Sequence, residues 1–229
     1  MDHIALSQCF DKHSFNELNS IDDSMIFKSL CKAQTIFTDL FNNGVFFDVG
    51  CNAGSFIKVL QAFNIKNNIH CFEPHPYLVD KVVSVYPYVI MNNICISNKI
   101  EKSVIYIPSL SCGISSLIKR PVFETLIADG QTIIEYPIDT LTIDEYVKLN
   151  NIGNINFIKI DVEGAEKLVF EGAQNSLKTG IIKSGIFEIG QTLIDAGTTA
   201  DEVCNYLNFY GYNIDKTIGP NDYFFYRQD

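Results

Sequence analysis

Acidic residues follow several apolar runs of the chain, at positions where a carboxylate could bind a ribose or accept a proton. Asp48, in VFFDVGCNAG, precedes two glycines that are four residues apart. Glu73 ends the run IHCFE, about twenty residues beyond that turn, and Asp161 and Glu163 end FIKIDVE. Because ligands of open α/β sheets bind outside the carboxyl ends of the strands, these carboxylates would face one crevice. A carboxylate there can accept hydrogen bonds from ribose hydroxyls, hold a cation or act as a general base.

Each of these acids also has a structural explanation. Glu73 could be a solvated acid at a strand end, and on spacing alone the two interpretations of it are about even. Glu166, in the first turn of the following helix, complements the helix dipole, and either Asp161 or Glu163 could cap that helix. Three acids at one strand end nevertheless exceed what a single cap requires.

Alternating strand and helix patterns predict the elements that would hold these acids. Apolar runs predict parallel strands at residues 45–49, 69–73, 89–96, 156–162 and 182–189. Residues spaced for one apolar face predict helices at residues 53–63, 76–85, 164–177 and 199–209. Such strand–helix–strand units form an α/β fold, a mostly parallel sheet with helices on both faces.

The last two apolar runs predict an antiparallel hairpin at the end of this sheet. Runs 212–218 and 223–227 are joined by only a few residues, which is too short a connection for a crossover helix. Between the two halves of the sheet, residues 102–141 contain two β-like runs around a polar stretch, and we expect them to form an insertion over the site. The helical spacing of residues 1–42 predicts an N-terminal cap, and residues 43–229 are expected to form a single domain.

The composition disfavours several kinds of partner and location. The net charge of -10 opposes binding to nucleic acid, and no apolar stretch reaches the length of a membrane span. The opening residues have neither a basic nor an apolar signal region, so we expect a soluble, cytoplasmic protein with no membrane partner. Its seven cysteines lack any C-x-x-C spacing and are expected to be free thiols.

Four segments together resemble one family of enzymes. FFDVGCNAGSF, CFEPHP, FIKIDVEGAEKLVFEGA and IFEIG, in this order and spacing, resemble the FkbM-type S-adenosylmethionine-dependent methyltransferases. The resemblance spans roughly residues 44–228, and KIDVEGAE is its most specific part. It implies the class I methyltransferase fold, Rossmann-like, with seven strands and a terminal antiparallel hairpin. It also implies O-methylation of a hydroxyl on a sugar or a polyketide-type metabolite, with S-adenosylmethionine as the cofactor.

The resemblance also implies roles for individual residues, position by position. It assigns four residues to the methionine side of the cofactor: Asp48, Gly50, Asn52 and Gly54. Glu73 is assigned to the ribose, and Ile94 and Ser97 are assigned to the adenine. Asn98 stands where an acid is common, which puts its contact with the adenine amino group in doubt.

The acceptor is expected on the side of the serine-containing loop. Ser115 and Ser116, in GISSL, resemble the family's serine pair near the acceptor. His75 stands where asparagine is usual and is grouped with the acceptor-binding residues, although its position between two prolines predicts a loop residue rather than a catalyst.

Methyl transfer to an alcohol needs alignment of the acceptor oxygen and a base within hydrogen-bond reach. Glu163 is the leading candidate for this base, Asp161 is expected to orient the cofactor or the base, and Glu188 is the third candidate. Paired acids would also suit Mg²⁺. We expect no metal, and loss of activity with EDTA that Mg²⁺ restores would reverse this expectation.

Other functions compete with this interpretation. An NAD-dependent dehydrogenase would have the full G-x-G-x-x-G, which DVGCNAG lacks. A nucleic-acid methyltransferase would be expected to carry a basic binding surface and a motif such as Asn-Pro-Pro-Tyr. A catalytically silent protein that only binds S-adenosylmethionine would keep the fold without turnover. The sequence leaves the acceptor's identity and the oligomeric state open.

Overall fold

The computed structural model describes residues 21–228 of the chain, with side chains from residue 23 onward. Ten strands are present in these residues: β1 (Phe46–Val49), β2 (Ile69–Phe72), β3 (Ile90–Asn92), β4 (Cys95–Ile96), β5 (Lys102–Pro108), β6 (Ile133–Leu141), β7 (Phe157–Ile160), β8 (Ser184–Glu188), β9 (Asn213–Asp215) and β10 (Asp222–Tyr226). The helices are α1 (Ile21–Ile36), α2 (Ser55–Ala62), α3 (Pro76–Val85), α4 (Val122–Ala128), α5 (Ile143–Leu149), α6 (Glu166–Glu171), α7 (Gln174–Lys178), α8 (Gln191–Asp195) and α9 (Ala200–Phe209), with a 3₁₀ turn at Cys112–Ile114.

Seven strands form the main sheet, in the order β3-β2-β1-β7-β8-β10-β9. β1 pairs in parallel with β2 on one side and with β7 on the other, so the strand order reverses at β1. β10 is antiparallel to both β8 and β9, as the short connection before it requires. The predicted α/β fold with a mostly parallel sheet is therefore confirmed. The switch of direction at β1 places a crevice at the carboxyl ends of β1, β2 and β7.

Apolar side chains on both faces of the central strands hold this sheet in place. All four residues of β1, of β2 and of β7 are buried. Phe47 belongs to the core on one face, and its neighbour Phe46 belongs to the core on the other. Burial of each of these phenylalanine side chains stabilises the folded chain by about 1.5–3 kcal/mol relative to leaving it exposed. A sheet covered on both faces keeps its strand ends, and the side chains just beyond them, in fixed positions.

The predicted strand 89–96 is wrong as a single element, because it divides into β3 and β4. β3 is an edge strand of the main sheet, whereas β4 belongs to a second sheet with the order β4-β6-β5. The chain turns at Asn93, whose side-chain amide donates to the carbonyl oxygens of Glu73 and Pro74 at 2.9 and 3.1 Å. These hydrogen bonds tie the turn to the end of β2 and end the strand early.

The predicted helix 164–177 is also divided, into α6 and α7. At the break, a Cβ on Gly172 would collide with the carbonyl oxygen of Ser97. The Gly172 carbonyl accepts a hydrogen bond from the Asp144 backbone N–H at 3.0 Å. The break therefore lets the chain beyond β4 and the start of α5 pack closely on this turn.

Residues 102–141 form the second sheet's longest pair of strands, β5 and β6, which are antiparallel from Lys102 opposite Asp139 to Pro108 opposite Ile133. The 3₁₀ turn and α4 lie between them. We call residues 102–141 the insertion.

At the amino-terminal side, α1 packs against the sheet and α2. The N-terminal cap predicted for residues 1–42 lies partly outside the described residues, which begin at residue 21, and it stays a prediction. Among the described helices, none combines the length and the apolar character that crossing a membrane demands.

Candidate active site

A cleft opens at the carboxyl ends of β1, β2 and β7, beneath the insertion. Its polar lining comes from the turn after β1, the end of β2 and the loop after β7, with one serine from the insertion: Gly50, Asn52, Glu73, Asp161, Glu163 and Ser115. Its apolar lining includes Leu78, Ile94, Ile96, Ile105 and Leu117. The structure thus brings together most of the residues that the sequence singles out.

The turn after β1 adopts left-handed backbone conformations, with φ of 78° at Gly50 and 46° at Asn52. A Cβ on Gly50 would collide with the carbonyl oxygen of Asp161. A close approach to the chain just beyond β7 therefore requires glycine at this position. Gly54 begins α2 with φ of 85°, and a Cβ there would lie 3.0 Å from the ring of Tyr86. Gly54 supports the turn from outside the cleft lining.

Glu73 is held in place by the main chain on either side of it. Its Oε2 accepts a hydrogen bond from the Asn52 backbone N–H at 2.8 Å, and its Oε1 accepts one from the His75 backbone N–H at 3.0 Å. A carboxylate has about four acceptor positions, so each oxygen can still accept a bond from a ligand hydroxyl. Burial raises the pKa of Glu73 to about 7, although the two N–H groups oppose the shift.

A buried lysine, which the sequence interpretation missed, joins the ends of β1 and β7. Lys159 Nζ donates to the Gly50 carbonyl oxygen at 2.7 Å and lies 3.1 Å from Asp161 Oδ2 and 3.7 Å from Asp48 Oδ1. Asp48 is fully buried and Lys159 is 8% exposed. Burial raises the pKa of Asp48 to about 6, even though Lys159 lowers it. A lysine within the apolar run FIKI was the available signal, because a buried lysine requires partners.

Glu163 is held in an uncommon conformation at the loop after β7. Its φ of 57° is in the left-handed region, which costs a non-glycine residue about 1 kcal/mol. Its Oε2 lies 3.1 Å from Arg120 Nη1, and its carbonyl oxygen accepts a hydrogen bond from the Ser116 hydroxyl at 2.8 Å. Burial and the nearby Asp161 raise the pKa of Glu163 to about 7, against the effect of Arg120. Sequence reasoning missed Arg120, because no local pattern connects it to the loop after β7.

The three carboxylates considered as bases converge. One oxygen from each of Asp161, Glu163 and Glu188 lies within 4.8 Å of the others. This spacing would allow the group to share a divalent cation. Partial burial, with Asp161 and Glu163 nearby, raises the pKa of Glu188 to about 9. Glu188 is outside the cleft lining.

Several other predicted site residues lie behind the cleft lining rather than on it. Asp48, His75, Ser97 and Ser116 are all at least nine-tenths buried. Within the described part of the chain, both ring nitrogens of His75 lack a hydrogen-bond partner, and burial lowers the pKa of this imidazole to about 4. Of the residues assigned to the adenine, Ile94 lines the cleft and Ser97 does not. Ile94 belongs to an apolar wall of the cleft, to which the insertion contributes Ile105 and Leu117.

The residues present fit an adenosyl sulfonium cofactor. Both carboxylate oxygens of the buried Asp48 lack a hydrogen-bond partner among the described residues. Glu73 has spare acceptor capacity for hydroxyls, and the apolar wall offers a face for an aromatic base. The acids around the cleft outnumber Lys159 and Arg120, which favours a cationic group.

Comparison with known protein families identifies a match. A family model described as the methyltransferase FkbM domain matches residues 48–214, from the β1 acid to β9. The matched segment contains the glycine turn, Glu73, the insertion and the acids after β7. No curated protein matches the chain.

Proposed function

Because the chain belongs to the methyltransferase FkbM domain family, we propose that it is an S-adenosylmethionine-dependent O-methyltransferase with the class I fold. The acceptor in this proposal is a hydroxyl of a small molecule or glycan, with a sugar hydroxyl preferred. The carrying observation is that Glu73 and Glu163, from different strand ends, line one cleft at the reversal of strand order. The first suits a ribose, and the second suits proton removal from an acceptor.

Two side chains that line the cleft contact the cofactor in this proposal, and Asp48 acts on it from behind the lining. Glu73 accepts hydrogen bonds from the ribose hydroxyls, and Ile94 contributes to the apolar wall against the adenine. Asp48 supplies negative charge beneath the glycine turn, on the methionine side. When bound, S-adenosylmethionine supplies an electrophilic methyl group.

Glu163 is the proposed general base because its surroundings suit this task better than those of the other two acids. Its pKa near 7 lets it be ionised at neutral pH and still accept a proton. Asp161 is paired with Lys159, which favours a positioning role. The raised pKa of Glu188 favours its protonated form, which suits hydrogen-bond donation better than proton removal. Oxygen atoms of Asp161 and Glu163, which both line the cleft, could accept hydrogen bonds from neighbouring hydroxyls, and this supports the preference for sugars.

Calorimetric titration of the purified chain with S-adenosylmethionine, and separately with NAD, tests the cofactor. We expect micromolar binding of S-adenosylmethionine and none of NAD. Glu73→Ala should lose binding, whereas Glu101→Ala, which removes an exposed acid outside the cleft, should retain it. Absence of S-adenosylmethionine binding by the folded chain would contradict the proposal.

Transfer of a labelled methyl group to a panel of hydroxyl compounds, starting with neutral sugars, tests the reaction. Cofactor binding without transfer to any member would favour the silent binding protein, and transfer to DNA or RNA would favour the nucleic-acid methyltransferase. The assay is repeated with EDTA and then with added Mg²⁺. Our proposal requires no metal, so activity should persist in EDTA.

A further inference from the structure

We propose that the insertion has a positioning role, in which Ser116 and Arg120 clamp Glu163 in the conformation that it needs as a base. Both residues act through Glu163 and are positioning residues. The functional part of this inference rests on the proposed function, but the clamp itself is a statement about the chain alone.

The backbone of Glu163 needs such a clamp. A non-glycine residue with φ of 57° persists only where its surroundings determine it. Glu166 already orders the same loop, because its Oε1 accepts hydrogen bonds from the backbone N–H groups of Val162 and Gly164 at 3.0 and 3.2 Å. Those bonds fix the residues on either side of Glu163 and leave its own carbonyl and side chain to the insertion.

Ser116 supplies the contact to the carbonyl group. Its hydroxyl donates to the Glu163 carbonyl oxygen at 2.8 Å and accepts from the Ile118 backbone N–H at 3.1 Å. Its own main chain is paired with Tyr106 of β5 through hydrogen bonds of 2.9 and 3.1 Å. With 1% exposure, Ser116 presents no hydroxyl to an acceptor. Its role is therefore to hold Glu163 rather than to bind substrate.

Arg120 supplies the contact to the carboxylate. Its guanidinium is anchored within the insertion, since Nη2 donates to the Ile114 carbonyl oxygen at 2.6 Å and the group lies 5.4 Å from the centre of the Phe123 ring. Phe123 is fully buried and Arg120 is 3% exposed. These contacts fix the guanidinium independently of Glu163. The Glu163 carboxylate therefore forms its ion pair with a group that is already in place. The ion pair engages Oε2 and leaves Oε1 as the oxygen that can receive a proton.

The test combines hydrogen exchange with kinetics on the full chain. The variants are Ser116→Ala, Arg120→Met and Arg120→Lys, and Lys119→Met is the matched control because Lys119 is an exposed neighbour that faces Tyr106. We expect amides of residues 162–165 to exchange at least threefold faster in Ser116→Ala and Arg120→Met, with β1 and β2 unchanged. Arg120→Lys should fall between Arg120→Met and the wild type.

The kinetic readout separates positioning from general destabilisation. We expect kcat to fall at least tenfold in Arg120→Met, while KM and the cofactor Kd stay within twofold. Exchange at residues 162–165 that stays at the wild-type rate in Ser116→Ala and Arg120→Met would overturn the clamp. Faster exchange with an unchanged kcat would overturn its role in positioning the base. If Arg120→Met fails to fold, Arg120→Lys and Ser116→Ala provide the same measurements. A wild-type chain without any turnover would contradict the proposed function, and the exchange measurements would still decide the clamp.

Discussion

At the scale of single residues, the cleft is built from charges that depend on one another. Lys159 lies between Asp48 and Asp161, and Arg120 lies against Glu163. Each cation lets a neighbouring acid remain charged in a place that would otherwise favour its neutral form. The acids and their cations therefore act as pairs, and removing one member should affect the other.

Glu163→Gln tests the base. The amide keeps the shape of the side chain but cannot accept the proton, so kcat should fall about 10²- to 10⁴-fold. Steady-state kinetics at saturating acceptor measures the change. Glu124→Gln, an exposed acid of α4, should retain wild-type kcat. Full turnover by Glu163→Gln would show that another group takes the proton.

The pH dependence of the wild-type enzyme gives a second test of Glu163. Because the base must be ionised and its pKa is about 7, kcat should rise as the pH rises through this value. Burial raises this pKa most, the acids Asp161 and Glu166 raise it further, and Arg120 lowers it. A rate that is flat between pH 5.5 and 8.5 would contradict this assignment.

Lys159→Met should destabilise the fold because it leaves two acids without their cation. Breaking a buried ion pair from one side costs about 3–5 kcal/mol. The free energy of unfolding, from urea denaturation, measures this loss. Adding Asp48→Asn to Lys159→Met should recover part of it, since the buried charge is then removed. If Lys159→Met alone were as stable as the wild type, Lys159 would not stabilise the fold through these two acids.

At the scale of elements, the turn after β1 and the end of β7 are built against each other. Gly50 contacts the Asp161 carbonyl through its backbone, and Lys159 reaches from β7 to the Gly50 carbonyl oxygen. The insertion then meets the loop after β7 through Ser116 and Arg120. The cleft is therefore assembled by contacts among three separate segments of the chain.

Gly50→Ala should damage this assembly. A methyl group would collide with the Asp161 carbonyl, and alanine is disfavoured at φ of 78°. We expect a loss of at least about 1 kcal/mol in the free energy of unfolding, together with weaker cofactor binding. Gly153→Ala is the control, because a Cβ there has no neighbour within 4 Å. Equal stability of the two variants would contradict the close contact.

At the scale of the whole molecule, the chain concentrates buried acids at one end of its sheet. Burial raises the pKa of Asp48 to about 6, and it raises those of Glu73 and Glu166 to about 7. In the unfolded chain these groups have ordinary pKa values near 4. The folded chain therefore holds their protons more tightly than the unfolded chain does.

This linkage predicts that the chain is more stable in mild acid than at neutral pH. The contribution of these acids is complete below about pH 4 and is lost as the pH rises through about 6 to 7. We expect the free energy of unfolding to be greater at pH 5.5 than at pH 8 by about 3–5 kcal/mol. Urea denaturation at both pH values measures it. Greater stability at pH 8 would show that these acids are ionised at little cost in the folded chain.

The amino-acid sequence was enough to predict the family, the type and order of the main elements, and the placement of Glu73, Asp161 and Glu163 at strand ends that face one cleft. Apolar runs, helical spacing and the glycine turn are local patterns, and a short connection is enough to predict an antiparallel pair. The boundaries inside 89–96 and 164–177 escaped this reasoning, because contacts of Asn93 and Gly172 with other segments impose them.

Which charged groups meet depends on the tertiary structure, and the sequence did not reveal it. Arg120 pairs with Glu163, Lys159 joins two strand ends, and the Ser116 hydroxyl is committed to the fold. These contacts join segments that are distant in the chain, and a local pattern carries no information about which distant group a polar side chain will reach. Burial, and with it the pKa of each acid, likewise depends on how the sheet and the insertion close around the cleft.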